Sequence, residues 1–157
     1  MIAHIRGRMT EKFPDHVVVE CNGLGYHVNI SLQTFSTIPD DENVKLFTHL
    51  VIREDAHIIY GFATKTEREI FKLLISVSGV GPSTAITMLS SMDTEEIQRA
   101  IASENVSKIQ SVKGIGIKTA QRVILDLRDK ILKSYEISED LPTSNNTIKI
   151  EALSALE

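Results

Sequence analysis

The chain has 157 residues, 42% of them hydrophobic, which is enough to bury one ordinary core or two small ones. The opening MIAHIRGRM lacks an apolar run of signal-peptide length and no segment approaches the apolar stretch of a membrane span, so a soluble cytoplasmic protein is expected. The net charge of -4 argues at first against a polyanionic partner. That sum conceals an asymmetry: Lys plus Arg against Asp plus Glu is 5 to 8 over residues 1–63, 11 to 8 over 64–135 and 1 to 5 over 136–157. Only the middle segment is basic. A single cysteine, Cys21, excludes a disulfide framework and fits a reducing compartment. With Val17, Val18 and Val19 just before it, Cys21 reads as strand filler rather than a reactive thiol.

Residues 1–63 predict β structure. Val17, Val19 and Cys21 alternate with more polar neighbours, Asn22-Gly23 is a hairpin turn signal, and Leu24, Tyr26, Val28 and Ile30 resume the alternation. Val44, Leu46, Thr48, Leu50 and Ile52 form a further period-two strand, and Ala56 to Phe62 another after a break at Glu54-Asp55. With the opening strand this makes about five, which suits a small barrel of the oligonucleotide-binding type or, on the same pattern, a two-sheet sandwich.

From Thr66 the period becomes helical. Thr66 and Glu69 predict a capping box ahead of an apolar stripe of Ile70, Phe71, Leu74 and Val77. Asp93 with Glu96 opens another helix, Asn105 a further one, and Lys118 to Leu132 forms the longest, with Ala120, Val123, Ile124, Leu127 and Ile131 inward. Residues 64–135 therefore predict an all-α domain, and the whole chain an α+β, multidomain protein. Beyond Tyr135 the pattern dissolves into ISEDLPTSNNT, which reads as a flexible acidic linker over 136–147. IKIEALSALE, 148–157, reads as the start of a truncated third domain, because one amphipathic helix cannot bury its own apolar face.

Within the helical segment, SVSGVGPSTA at 76–85 recurs 35 positions later as SVKGIGIKTA. Each copy separates two apolar-periodic segments, giving helix, glycine hairpin, helix. Gly79, Gly81, Gly114 and Gly116 permit positive φ and let a phosphate oxygen approach bare backbone, where successive amides and the next helix N-terminus attract an anion. The expected phosphate-binding set is Gly79, Val80, Gly81, Ser83 and Thr84 in the first copy. In the second it is Lys113, Gly114, Ile115, Gly116, Lys118, Thr119 and Arg122. Contacts of this kind hold nucleic acid without reading its sequence.

Other motif readings are weaker. Gly116-Ile117-Lys118-Thr119 is not a nucleotide-triphosphate loop, which needs glycine directly before the lysine and another five positions earlier, where Ser111 stands. Gly79-Val80-Gly81 lacks the third glycine and preceding strand of a dinucleotide fingerprint. No cofactor, catalytic residue or metal site is expected: His4, His16, His27, His49 and His57 have no ligand spacing. Two alternatives stay open. A structure-specific nuclease would enlist Glu54 and Asp55 for Mg²⁺, and a single-strand binder would need stacking aromatics in a chain with no Trp, three Tyr and five Phe.

MIAHIRGRM, the stretch THLVIREDAHIIYGF at 48–62, and the hairpins GVGP and GIGIKTA together resemble the bacterial RuvA family, colinearly from Met1 to about Leu132. The resemblance implies an oligonucleotide-binding-type barrel, then two helix-hairpin-helix motifs, then a third domain regulating the RuvB ATPase. It implies a homotetramer, in some cases paired with a second, that holds an open four-way (Holliday) DNA junction for branch migration in recombination, repair and the SOS response, alongside the RuvC resolvase. No catalysis is implied for the subunit itself. The family's acidic pin at the junction centre matches Glu54 and Asp55. Two departures stand out: Ser83 follows GVGP where the family often has lysine, and Ile117-Lys118 follows GIG where it often has two lysines.

Overall fold

The computed structural model describes residues 2–40 and 43–140. Five strands, β1 (His4–Lys12), β2 (His16–Cys21), β3 (Leu24–Asn29), β4 (Asn43–Ile52) and β5 (His57–Phe62), close into a barrel in the order β1-β2-β3-β5-β4. Closure decides between the barrel and the two-sheet sandwich. It is completed by a short parallel pairing of β3 with β5, Val28 opposite Ile59 and Asn29 opposite Tyr60. The turn predicted at Asn22-Gly23 is present, with both residues at positive φ (52° and 85°), as a two-residue hairpin matched to strand twist requires. Between β3 and β4 lies α1 (Leu32–Thr37), a helix the strand periodicity did not predict. Its N-cap is Ser31, whose hydroxyl accepts from the Thr34 amide.

The barrel interior is filled by Ile5, Val17, Val19, Val28, Ile30, Ile38, Val44 and Leu46. Leu24 and Ile52, expected to continue these alternations, lie at strand ends and are exposed. Cys21 is half-buried and its Sγ donates to the Arg6 carbonyl at 3.3 Å, in keeping with a packing role. Strand β5 serves two cores. Tyr60 and Phe62 face the helices and Gly61 faces the barrel, where a Cβ would meet Val28 Cγ1 at 2.5 Å and Leu46 Cδ1 at 3.2 Å. The Tyr-Gly-Phe triplet thus has a packing reason: a side chain at its centre would wedge the barrel open.

The helical part comprises α2 (Lys65–Ile75), α3 (Pro82–Ser91), α4 (Thr94–Ala102), α5 (Val106–Gln110) and α6 (Ile117–Asp140). Every position expected on the two inward stripes is buried, from Ile70, Phe71, Leu74 and Val77 to Ala120, Val123, Ile124, Leu127 and Ile131. Phe71 sits at the seam with the barrel, its ring 5.0 Å from those of both Tyr60 and Phe62. Asp93 and Glu96 form the predicted capping box, and Asn105 caps α5.

Two expectations need correction. The N-cap of α2 is Thr64, not Thr66, and Glu69 instead pairs with Arg68 and Lys72. At the true N3 position Glu67 does not return to the cap: its carboxylate turns to the start of α1 and accepts from the hydroxyls of Ser31 and Thr34, the latter at 2.5 Å. Sequence spacing fits either capping register; the buried hydroxyls select this one. Secondly, α6 runs to Asp140, so residues 136–140, expected to open a linker, are helical. The remainder of that expected linker, and the segment 148–157, lie outside the described residues.

Candidate nucleic-acid interface

The repeat in sequence is a repeat in hydrogen bonding. In the first copy the Val77 amide donates to Leu74 O (3.1 Å), Val80 to Val77 O (3.1 Å) and Ala85 to Gly81 O (3.0 Å). Thirty-five residues on, Val112 donates to Ile109 O (3.2 Å), Ile115 to Val112 O (3.1 Å) and Ala120 to Gly116 O (3.0 Å). The hydroxyls match as well: Ser76 and Ser111 each close the preceding helix by donating to the carbonyls of Leu73 and Lys108, both at 2.5 Å. Both turns therefore have one backbone design.

Only the first glycine of each pair needs its conformational freedom. Gly79 and Gly114 have φ of +94° and +90°, whereas Gly81 is extended (φ -91°) as the N-cap of α3, and Gly116 is not among the positive-φ residues. The second glycines matter for access. A Cβ at Gly81, Gly114 or Gly116 would meet nothing within 4 Å, so bare backbone faces open space there. Pro82 takes the first turn of α3, where its missing N–H is not needed.

The expected phosphate-binding set divides accordingly. The amides of Gly79, Gly81, Ser83 and Thr84, and of Gly114, Gly116, Lys118 and Thr119, donate to no backbone carbonyl and cluster at the N-termini of α3 and α6. Val80 and Ile115 do not belong with them. Their amides are used inside the turns and their side chains are buried, so they shape the hairpins without offering donors. Lys113 and Lys118 are exposed beside the second hairpin, while Arg122 is paired with Asp126 at 3.3 Å. The copies also touch: a Cβ on Gly79 would lie 3.7 Å from Thr119 Oγ1, which ties the first hairpin to the start of α6.

Glu54 and Asp55 form the turn between β4 and β5, closed by Arg53 N donating to Ala56 O at 2.8 Å. Both are exposed. Val51 and Ile58, paired across the strands just below, pack on the core of the helical part. The acidic turn is thus held by the same apolar core that holds the hairpins. Among the described residues, no group of three or more His, Cys, Asp or Glu side chains is arranged to hold a metal ion, and no helix is long and apolar enough to cross a membrane. Tyr60, Phe62 and Phe71 are buried in the core and present no stacking face.

Sequence reasoning missed the buried Glu67 and its two hydroxyl partners. Burial pushes the Glu67 carboxyl above its ordinary range, partly offset by the hydrogen bonds from Ser31 and Thr34. A Glu three residues after Thr64 was the available signal, since that is the N3 spacing of a helix start.

A closed five-stranded barrel joined to paired helix-hairpin-helix turns with free amides is the architecture of a class of nucleic-acid-binding proteins. Comparison with known proteins narrows this. Residues 1–61 match the RuvA N terminal domain and residues 71–129 a SAM-like helix-hairpin-helix tandem. The chain is 63% identical to the Holliday junction branch migration complex subunit RuvA of Christiangramia forsetii, and 59% identical to that of Flavobacterium psychrophilum. In both cases all of this chain aligns with 81% of the relative. It is 51% identical to the same subunit of Cytophaga hutchinsonii, over 99% of this chain and 81% of that one. The chain belongs to the RuvA family.

Proposed function

We propose that this protein binds four-way DNA junctions by their shape, irrespective of sequence, as a homotetramer, and holds the arms open while a RuvB ATPase drives branch migration in recombination and repair. The duplicated hairpin carries this reading: two sets of free amides in one small unit suit two phosphate positions on one duplex arm. In this reading the amides of Gly79, Gly81, Ser83 and Thr84 and of Gly114, Gly116, Lys118 and Thr119 hold phosphates. Lys113, Lys118 and Arg122 add charge-assisted contacts. The subunit itself performs no chemistry, and a RuvC resolvase works on the same junction.

Glu54 and Asp55 act by repulsion. A carboxylate 4 Å from a phosphate is repelled by about 4 kcal/mol at an effective dielectric near 20, and the effect is largely screened beyond about 8 Å. Four copies around an axis would keep phosphates from the centre without hindering the cations further out.

Competition binding with size analysis tests the reading. An unlabelled four-way junction should displace a labelled junction at far lower concentration than duplex or single strand of equal length, with the complex at the mass of a tetramer. Single strands competing as well as the junction would overturn it. In the same assay Glu54→Gln with Asp55→Asn should keep or tighten junction binding, whereas a tenfold loss would remove the repulsive role of the turn. Junction DNA should stay intact in Mg²⁺; cleavage would favour the nuclease.

A further inference from the structure

We propose that the outer face of β1 and β4, continued along α2, is a second track for the phosphate backbone of a duplex arm, separate from both hairpins. This rests on the junction-binding reading above. The barrel segment is acidic in sequence, yet folding pairs Arg6 with Lys45 across β1 and β4 and brings Lys45 to the same aromatic ring as two cations of α2. Arg6 and Lys45 are directly opposite each other across β1 and β4, and both point outward because Ile5 and Leu46, also paired, are buried inside the barrel. Two residues further along β4, the Phe47 ring is ringed by cations: Lys45 Nζ at 5.2 Å, Lys65 Nζ at 5.9 Å and the Arg68 guanidinium at 5.8 Å from its centroid. The ring face attracts each of them and so gathers like charges that would otherwise spread apart. Lys72 follows one turn after Arg68.

Among the described residues, the acidic groups of α2 beside this face are engaged elsewhere. Glu69 pairs with Arg68 at 3.0 Å and lies 3.8 Å from Lys72, while Glu67 is turned inward to Ser31 and Thr34. Among the described residues Arg6, Lys45 and Lys65 take part in no ion pair. At the same place the His49 pKa is lowered first by burial and then by the charges of Lys72 and Arg68, with Glu69 acting in the opposite sense.

Two features favour DNA over a protein partner. Lys65, Arg68 and Lys72 share one face of α2 over roughly 10 Å of helix, and Lys72 stands one turn before the first hairpin at Ser76, so the cations lead into the proposed phosphate grip. In addition, three of the five cations are lysine, which protein interfaces avoid and which phosphate backbones accept in any register.

The test compares the exposed triple variant Lys45→Gln, Lys65→Gln, Lys72→Gln with a control of equal charge loss, Lys12→Gln, Lys130→Gln, Lys133→Gln, and with Lys→Arg at the three track positions. Junction affinity is read across a salt series, with mass by light scattering. The track variant should lose about tenfold or more in affinity at low salt and flatten the plot of log K against log salt by up to about 2.7, from about 0.9 per phosphate contact. The arginine variant and the control should stay close to the parent. Unchanged affinity and slope in the track variant, or equal losses in track and control variants, would overturn the track. A fall in mass with an unchanged slope would also overturn it and make the face a protein interface. If the parent itself fails to prefer junctions, it is the underlying reading that fails.

Discussion

The two hairpins share a backbone and differ in what surrounds them. The first is approached by α2, eleven residues long and anchored to the barrel through Phe71 and Glu67; the second is approached by α5, five residues long, with no contact of that kind. The first has Pro82 and Ser83 at its helix entrance and no cation within the repeat itself, whereas the second has Lys113 and Lys118. One hairpin is therefore tied to the barrel side of the molecule and weakly charged, and the other is set among α4, α5 and α6 and more charged. Duplication supplied two equal turns, and their settings have made them unequal.

Valine at the positive-φ glycines should break this comparison most strongly. Gly79→Val and Gly114→Val each impose left-handed strain of about 1–3 kcal/mol and cover amides otherwise open to phosphate. Loss of one charge-assisted contact at roughly 1.5–3 kcal/mol predicts a fall in junction affinity of about 10- to 100-fold for each variant. They should not be equivalent. Branches on a valine at 79 would press on Thr119 at the start of α6 and disturb both hairpins, while a side chain at 114 enters open space. Thermal melts and binding titrations on the two single variants check this; equal losses of stability would make the hairpins independent.

How far this was legible beforehand depends on the scale of the interaction. Local backbone requirements show in sequence: the positive φ at Gly79 and Gly114 and the turn at Asn22-Gly23 follow from residues that suit them. Periodicity identified the inward faces of α2 and α6 because burial is one-sided there. What escaped notice depends on contacts between elements distant in sequence. Nothing in the linear spacing brings Ser31 and Thr34 to Glu67, or Lys45 to the cations of α2. For a related reason the motif specifies residues but not which amides the turn consumes, and those of Val80 and Ile115 are consumed here.

Charge exchange should sharpen the comparison with smaller effects. Lys118→Ser removes a cation from the second hairpin, and Ser83→Lys adds one at the matching position of the first. Each should change the salt slope of junction binding by about 0.9, in opposite directions, if each lysine meets one phosphate. At moderate salt the affinity changes should be severalfold. A slope that moves for Lys118→Ser but not for Ser83→Lys would show that the first hairpin, although its backbone is matched, does not bring position 83 to a phosphate.

The smallest effect is expected at the anchor of the first hairpin. With its side chain only 1% exposed, Glu67 has a carboxyl held above its ordinary pKa by burial, so the folded protein binds this proton more tightly than the unfolded chain does. Its contribution to stability is therefore greatest below the unfolded carboxyl pKa and declines as pH rises through the folded value. Glu67→Gln keeps an oxygen to accept from the Ser31 or Thr34 hydroxyl and removes the titration. At neutral pH the variant should be within about 1 kcal/mol of the parent, since one hydrogen bond is exchanged for another. Stability of the parent relative to the variant should fall as pH rises from the acid range towards neutrality, measured by denaturant unfolding at several pH values. A parent-minus-variant difference that stays flat with pH would mean that the hydroxyls fully offset the burial of the charge. In that case α2 would be held to the barrel by apolar packing around Phe71, and its anchoring would resemble that of the other helices more than the hydrogen bonds suggest.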